Sequence, residues 1–265
     1  NKIVIVYGDS GNSSGAGTAV VGTVSGTSIS FGTPAVFRAS DSEQFHVTYD
    51  TTADKLVLSY NNKAVSSKGT AIVGTISGTN ITFGAENEWI STDANGQSIV
   101  YDTNANRTVI AYNDAANPYY GKVVVGQISG TSISFGSIAT FESARVNYTA
   151  MVYDTNAQKV VISYRDYGNS NYGTAIVGTV DPSDNSITFG TPTVWSSSST
   201  EDIDAGYDST NNKVVVAYKD GGDSDKGKAV IGTVSGTSIS FGSATTFYDT
   251  TQINKPQVAY HAALQ

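Results

Sequence analysis

The 265-residue chain is 39% hydrophobic and only 14% charged, carries a formal net charge of -8 and has no cysteine. That excludes a highly charged disordered chain, a disulfide framework and thiolate chemistry, and it argues against phosphate backbones or anionic lipid as partners, so no nucleic acid is expected. No apolar run reaches the roughly 18 residues of a membrane span, and Asn1 opens directly into a strand pattern with no signal peptide, so no membrane insertion is expected and the chain reads as a mature or excised piece.

In chain order, NKIVIVY (1–7) reads as a strand, and VSGTSISFG (24–32) then recurs as ISGTNITFG (76–84), ISGTSISFG (128–136), VDPSDNSITFG (180–190) and VSGTSISFG (234–242). Phe31, Phe83, Phe135, Phe189 and Phe241 anchor these copies at spacings of 52, 52, 54 and 52 residues, the two extra residues falling in the DPSDN turn. Six residues beyond each anchor stands Phe37, Trp89, Phe141, Trp195 or Phe247, followed later by Tyr49, Tyr101, Tyr153, Tyr207 or Tyr260. Eleven residues after the first four of those tyrosines come Tyr60, Tyr112, Tyr164 and Tyr218.

Each unit is expected to hold four short strands, placed in the second unit at 46–50, 55–60, 69–77 and 80–84, because β-branched and aromatic runs alternate with Gly, Asn, Asp and Ser turns. Short DTTAD and SGT turns make the four an antiparallel meander. Leu56, Leu58 and Tyr60 share one face of the second strand and Val57 and Ser59 the other, so the sheet must be covered on both sides. A period near 50 residues with four strands per unit predicts a propeller. NKIVIVY lacks a strand before it and QVAYHAALQ (257–265) lacks one after it; joined, Tyr260 and Tyr7 lie twelve positions apart, against eleven elsewhere. The expectation is one all-β domain over 1–265, a five-bladed β-propeller of four-stranded antiparallel blades, its ring closed by one C-terminal strand plus three N-terminal strands.

The YDxTxxKVVVxY and SGTSISFG segments run through the whole chain. In them the chain resembles the repeat-rich propeller domains of surface and appendage proteins, tail-fibre-like proteins included, of marine bacteria and their phages. The resemblance implies an extracellular location, on a cell or virion surface, with neighbouring domains of a larger appendage as possible partners. In blade count the chain is also similar to five-bladed lectins of the tachylectin type, without their sugar-site motif. The Asp box of sialidases is echoed by YRDYGNSNYG (164–173), which lacks the hydroxyl before Asp and the closing aromatic.

Divergence between copies points to a site. Turns from first to second strand (DTTADK, DTNANR, DTNAQK, DSTNNK) are nearly uniform, whereas the loops from second to third strand and the segments 38–45, 90–97, 142–149, 196–203 and 248–255, read as loops, differ in every unit. Uniformity follows from turn chemistry; loops on one rim are free to vary. Tyr119, Tyr120, Tyr148, Tyr167 and Tyr172 stand there beside Asn117, Asn147, Asp166, Asn169 and Asn171, a mixture of aromatic faces and amide or carboxylate groups suited to a polar neutral ligand. The candidate ligand site is therefore Asn117, Tyr119, Tyr120, Tyr148, Asp166, Tyr167, Asn169 and Tyr172. Trp89 and Trp195 share a repeat position with three phenylalanines and read as structural plugs between units.

The chemistry of an enzyme is thin. His46 and His261 fall at different repeat positions, and the opening positions of the first strand are His46, Ser98, Ala150, Asp204 and Gln257, one acid in five. Glu43, Glu201 and Asp202 lie near that rim and keep a glycoside hydrolase as the third reading. Asp220, Asp223 and Asp225 could offer oxygens to calcium, yet without EF-hand spacing or a bidentate Glu they read as an acidic turn. The expected function is a non-enzymatic module recognising cell-surface glycans or a cell-surface receptor, with no catalytic residue, metal or cofactor. The alternative is a structural or protein-interaction spacer.

Overall fold

The structure, a computed structural model, describes residues 2–11 and 15–261. Twenty strands follow one another: β1 (Lys2–Asp9), β2 (Ala16–Ser25), β3 (Ser28–Phe31), β4 (Ala35–Asp50), β5 (Lys55–Asn62), β6 (Lys68–Ser77), β7 (Asn80–Phe83), β8 (Asn87–Asp102), β9 (Arg107–Asp114) and β10 (Tyr120–Ser129). There follow β11 (Ser132–Phe135), β12 (Ala139–Asp154), β13 (Lys159–Asp166), β14 (Tyr172–Asp181), β15 (Ser186–Phe189), β16 (Thr193–Asp208), β17 (Lys213–Asp220), β18 (Lys226–Ser235), β19 (Ser238–Phe241) and β20 (Thr245–Tyr248). Two 3₁₀ turns, Lys63–Val65 and Tyr167–Asn169, interrupt them.

Local chemistry sets the turns. Between β2 and β3, and at the same place in three other repeats, Gly26, Gly78, Gly130 and Gly236 take φ of 58 to 63°, the first central position where a two-residue hairpin needs a positive φ. In the uniform turns Asp50, Asp102, Asp154 and Asp208 each accept two backbone N–H groups through Oδ1. Asp54, Asn106, Gln158 and Asn212 complete these turns at φ of 54 to 57°. An Asp to cap and a short polar residue in the left-handed region are what such a turn requires.

Two expectations fail. The segments 38–45, 90–97, 142–149 and 196–203, expected as loops, are the interiors of the 16-residue strands β4, β8, β12 and β16. The first half of β12 pairs with β10 and the second half with β13, the register shifting between Asn147 and Ala150. At that bulge Gln44, Gly96, Tyr148 and Asp202 adopt φ of 48 to 55°, which swings the strand from one ladder to the next while it stays extended. The strands thus join into one 20-stranded sheet in place of separate four-stranded blades.

Nor does the sheet close into a ring. Among the described residues β1 pairs with β2 alone, residues 249–261 form no strand, and the rest of the expected C-terminal strand, 262–265, lies outside them. The segment does lie along β16: the Lys255 and Val258 amides donate to Asp202 Oδ2 and Asp204 Oδ2, and the Tyr260 hydroxyl meets that of Thr210. The expectation rested on NKIVIVY matching a second strand and QVAYHAALQ a first strand, and pattern alone fixes no register between two segments that no turn connects.

Successive repeats adhere through aromatic pairs. Phe37 meets Tyr60 at 5.2 Å between ring centroids, Trp89 meets Tyr112 at 4.6 Å, Phe141 meets Tyr164 at 5.1 Å and Trp195 meets Tyr218 at 4.7 Å. All eight rings are buried. A Cβ at Gly69 or Gly173 would collide with the indole of Trp89 or Trp195, so these glycines make room for the plug.

Candidate functional site

The site is built where the start of each third strand meets the bulge of the following long strand. Gly15, Ser67, Tyr119, Asn171 and Asp225 occupy equivalent positions, all with positive φ. The Tyr119 carbonyl accepts from the Val146 amide at 2.9 Å, as that of Gly15 does from Ser42 and that of Asn171 from Thr200. Small or polar residues suit this conformation; a tyrosine there costs roughly 1–2 kcal/mol. Tyr148 bears the same kind of cost at the bulge, with φ 50° where other repeats place Gln44, Gly96 and Asp202. The third repeat therefore holds two bulky rings in costly backbone, three residues to one side and twenty-six to the other of Arg145.

Arg145 joins Tyr119 and Tyr167 into a stack. Its guanidinium lies 5.0 Å from the ring centroid of Tyr119 and 4.5 Å from that of Tyr167, whose ring is also 4.7 Å from the Arg165 guanidinium. Aromatic and cationic planes thus alternate, Tyr119, Arg145, Tyr167, Arg165. Arg165 continues to Glu201 at 3.2 Å and to Ser199 Oγ at 3.2 Å, and Glu201 is clasped by Lys219 at 2.7 Å. The hydrogen bond from Lys219 foremost, helped by both cations' charge, holds the Glu201 carboxyl below its usual range. Burial, with Glu201 and Asp202 adding repulsion, raises the Tyr148 phenol. Arg145 is exposed and makes no ion pair among the described residues.

Of the expected residues, Tyr119 and Tyr167 meet in this stack, while Tyr148 packs against the apolar cluster that holds Ala150, Val152 and Trp195. Asp166 is buried and caps the 3₁₀ turn by accepting from the Asn169 amide at 3.1 Å, which fixes Tyr167 in place. Asn117 is tied down by its donation to Asp114 Oδ2 at 2.6 Å. Tyr120 and Tyr172, expected in loops, are the first residues of β10 and β14, opposite Arg145 and Ser199 in register. Lys122 lies 5.9 Å over the Tyr120 ring, whereas Tyr172 makes no ring contact among the described residues. Tyr148, also expected in a loop, belongs to β12.

Arg145 and Arg165 were missed. A signal existed: Arg145 stands where the other repeats have Asp41, Asp93 and Ser199, a reversal of charge at one repeat position.

The acids near this rim are engaged elsewhere. Glu43 pairs with Lys63 at 3.1 Å, Glu201 with two cations, and Asp202 and Asp204 with backbone amides, so Glu201 in particular is no proton donor near neutral pH. In the acidic turn Lys228 bridges Asp220 at 2.8 Å and Asp223 at 2.7 Å, and Lys226 meets Asp223 at 3.0 Å. Those carboxylates face lysines, and among the described residues no cluster of His, Asp and Glu could hold a metal.

Burial lowers His46 to about 4 from 6.5, so the folded protein resists a proton that the unfolded chain accepts. Its contribution is full above pH 6.5 and declines as pH falls toward 4, by at most about 3 kcal/mol. Urea unfolding across that window should show a decline that is shallower in His46→Gln; parallel profiles would mean that His46 is solvated.

No family model matches the chain, and no curated protein matches it. Among solved structures it is similar to a protein of unknown function from Dyadobacter fermentans, with a TM-score of 0.57 at 11% identity, over 87% of this chain and 75% of that one. At that identity the likeness concerns the fold alone.

Proposed function

We propose that the chain is a non-enzymatic binding module of an extracellular, cell or virion surface, whose ligand is a glycan held on the rim of Tyr119, Arg145 and Tyr167. The observation that carries this reading is the alternating stack, which presents an exposed guanidinium edge between two tyrosine rings. Aromatic faces suit the C–H surface of a sugar, and guanidinium donors suit hydroxyls or, bidentately, a carboxylate. Glu201 offsets the charge of Arg165 while no acid among the described residues pairs with Arg145, which favours a glycan bearing an acidic group over the neutral ligand expected from the loops. The backbone cost at Tyr119 and Tyr148 supports the same reading, since costly conformations persist where function uses them.

A glycan array with carboxylated and neutral members, probed with the isolated chain, tests the proposal. Arg145→Ala is expected to weaken binding to the best glycan by about 1–3 kcal/mol. Tyr119→Gly, which restores the residue of the first repeat, should weaken binding while leaving the melting temperature no lower. Absence of any glycan binding would leave the second reading, a structural or protein-interaction spacer, which draws on the exposed apolar residues at the outer faces of the first and last repeats.

A further inference from the structure

At each of the four junctions one repeat presents a face that the next repeat covers, and at the ends of the array the same two kinds of face keep exposed apolar residues, the last one carrying only the segment 249–261 along β16. Leu58, Ile110, Ile162 and Val216 are buried against the preceding repeat's side of the junction, and so are Ile81, Ile133, Ile187 and Ile239. Their equivalents in the first repeat, Ile5 and Ile29, are 42% and 45% exposed. On the opposite side, Val21, Val73, Val125 and Val177 are fully buried while their equivalent Ile231 is 46% exposed. Phe247, fifth in the series of Phe37, Trp89, Phe141 and Trp195, is 54% exposed, and Tyr7, the equivalent of the four buried partner tyrosines, is only half-buried.

The backbone repeats the pattern independently. A Cβ on Gly32, Gly84, Gly136 or Gly190 would drive into the carbonyl oxygen of Thr79, Thr131, Asn185 or Thr237 in the following repeat, so each junction closes on a glycine. The fifth member, Gly242, faces open space apart from its own repeat's Ile231 oxygen at 4.0 Å.

We propose that this chain assembles head to tail with a second copy of itself, the first repeat's outer face seating on the last repeat's outer face. Phe247 then meets Tyr7 of the second copy as Phe37 meets Tyr60, and Gly242 receives the Thr27 carbonyl as Gly84 receives that of Thr131. The occupant is argued from the four internal junctions, each of which shows a repeat of this sequence covering such a face. The contact is heterologous, so each dimer still offers one face of each kind and growth continues unless the rotation closes.

Sedimentation velocity over a concentration series tests this with the whole chain. The wild type is expected to form species that grow with concentration. Ile5→Glu and Phe247→Glu should each weaken self-association by about 30-fold or more, as for a buried interface anchor, yet their mixture should yield one-to-one dimers, each variant supplying the face the other lacks. Gly242→Val should block association with no change in melting temperature. A wild type that stays monomeric to its solubility limit, a mixture without heterodimer, or a Gly242→Val chain that associates normally would each overturn the proposal.

Discussion

Gly84→Val and Gly136→Val are expected to lower the melting temperature by about 10 °C, while Gly242→Val leaves it unchanged. The reason is position within the array. At Gly84 and Gly136 an added Cβ falls on a backbone carbonyl of the next repeat, Thr131 or Asn185, which no side-chain rotation can clear. Neither glycine has a positive φ, so strain in the residue itself is not the cause, and valine's preference for extended backbone would otherwise favour the change. Overpacking costs typically about 1–3 kcal/mol and more where backbone must move; at roughly 2–4 °C per kcal/mol for chains of this order, a cost near 3 kcal/mol gives the stated shift. Thermal melts of dilute protein followed by circular dichroism make the comparison. Equal melting of Gly84→Val and wild type would mean that the repeats do not close on these carbonyls.

Trp195→Ala should cost about 3–5 kcal/mol, because it empties a buried site at the junction with Tyr218. Trp195→Phe should cost less than about 1.5 kcal/mol. The two differ for a physical reason: the Trp195 indole N–H has no hydrogen-bond partner among the described residues, so phenylalanine gives up packing area but nothing polar. Phe37 and Phe141 already fill the equivalent place at centroid distances of 5.2 and 5.1 Å from their tyrosines. Urea unfolding of both variants separates the outcomes; a phenylalanine variant as weak as the alanine one would show that each junction is fitted to its own ring.

The repeat, the hairpins and the buried plugs were legible because each rests on local chemistry: Gly in SGT, Asp at the head of DTNAN, and aromatic residues at a fixed offset from Phe31 and its kin. The long strands were not legible. ESARVNYT and SSSSTEDI are polar and hold no β-branched run, and what keeps them extended is pairing with two different hairpins on either side of a bulge, a tertiary effect. Closure misled for a similar reason, since reading NKIVIVY as a second strand and QVAYHAALQ as a first compares patterns without testing whether the two pair. In the candidate cluster, tyrosine enrichment pointed to Tyr119 and Tyr167, but the residue between them is Arg145, whose signal in the sequence is its contrast with Asp41 and Asp93.

The most direct measurement of the binding account is the affinity of the isolated chain for its best array glycan, compared among wild type, Arg145→Ala and Asn156→Ala. Arg145→Ala removes the centre of the stack; Asn156→Ala alters the uniform turn whose amide donates to the Tyr207 hydroxyl at 3.3 Å. The account predicts a loss of about tenfold or more for Arg145→Ala, wild-type affinity for Asn156→Ala, and equal melting temperatures for all three. Full affinity in Arg145→Ala with loss in Asn156→Ala would contradict it and place the ligand on the opposite rim.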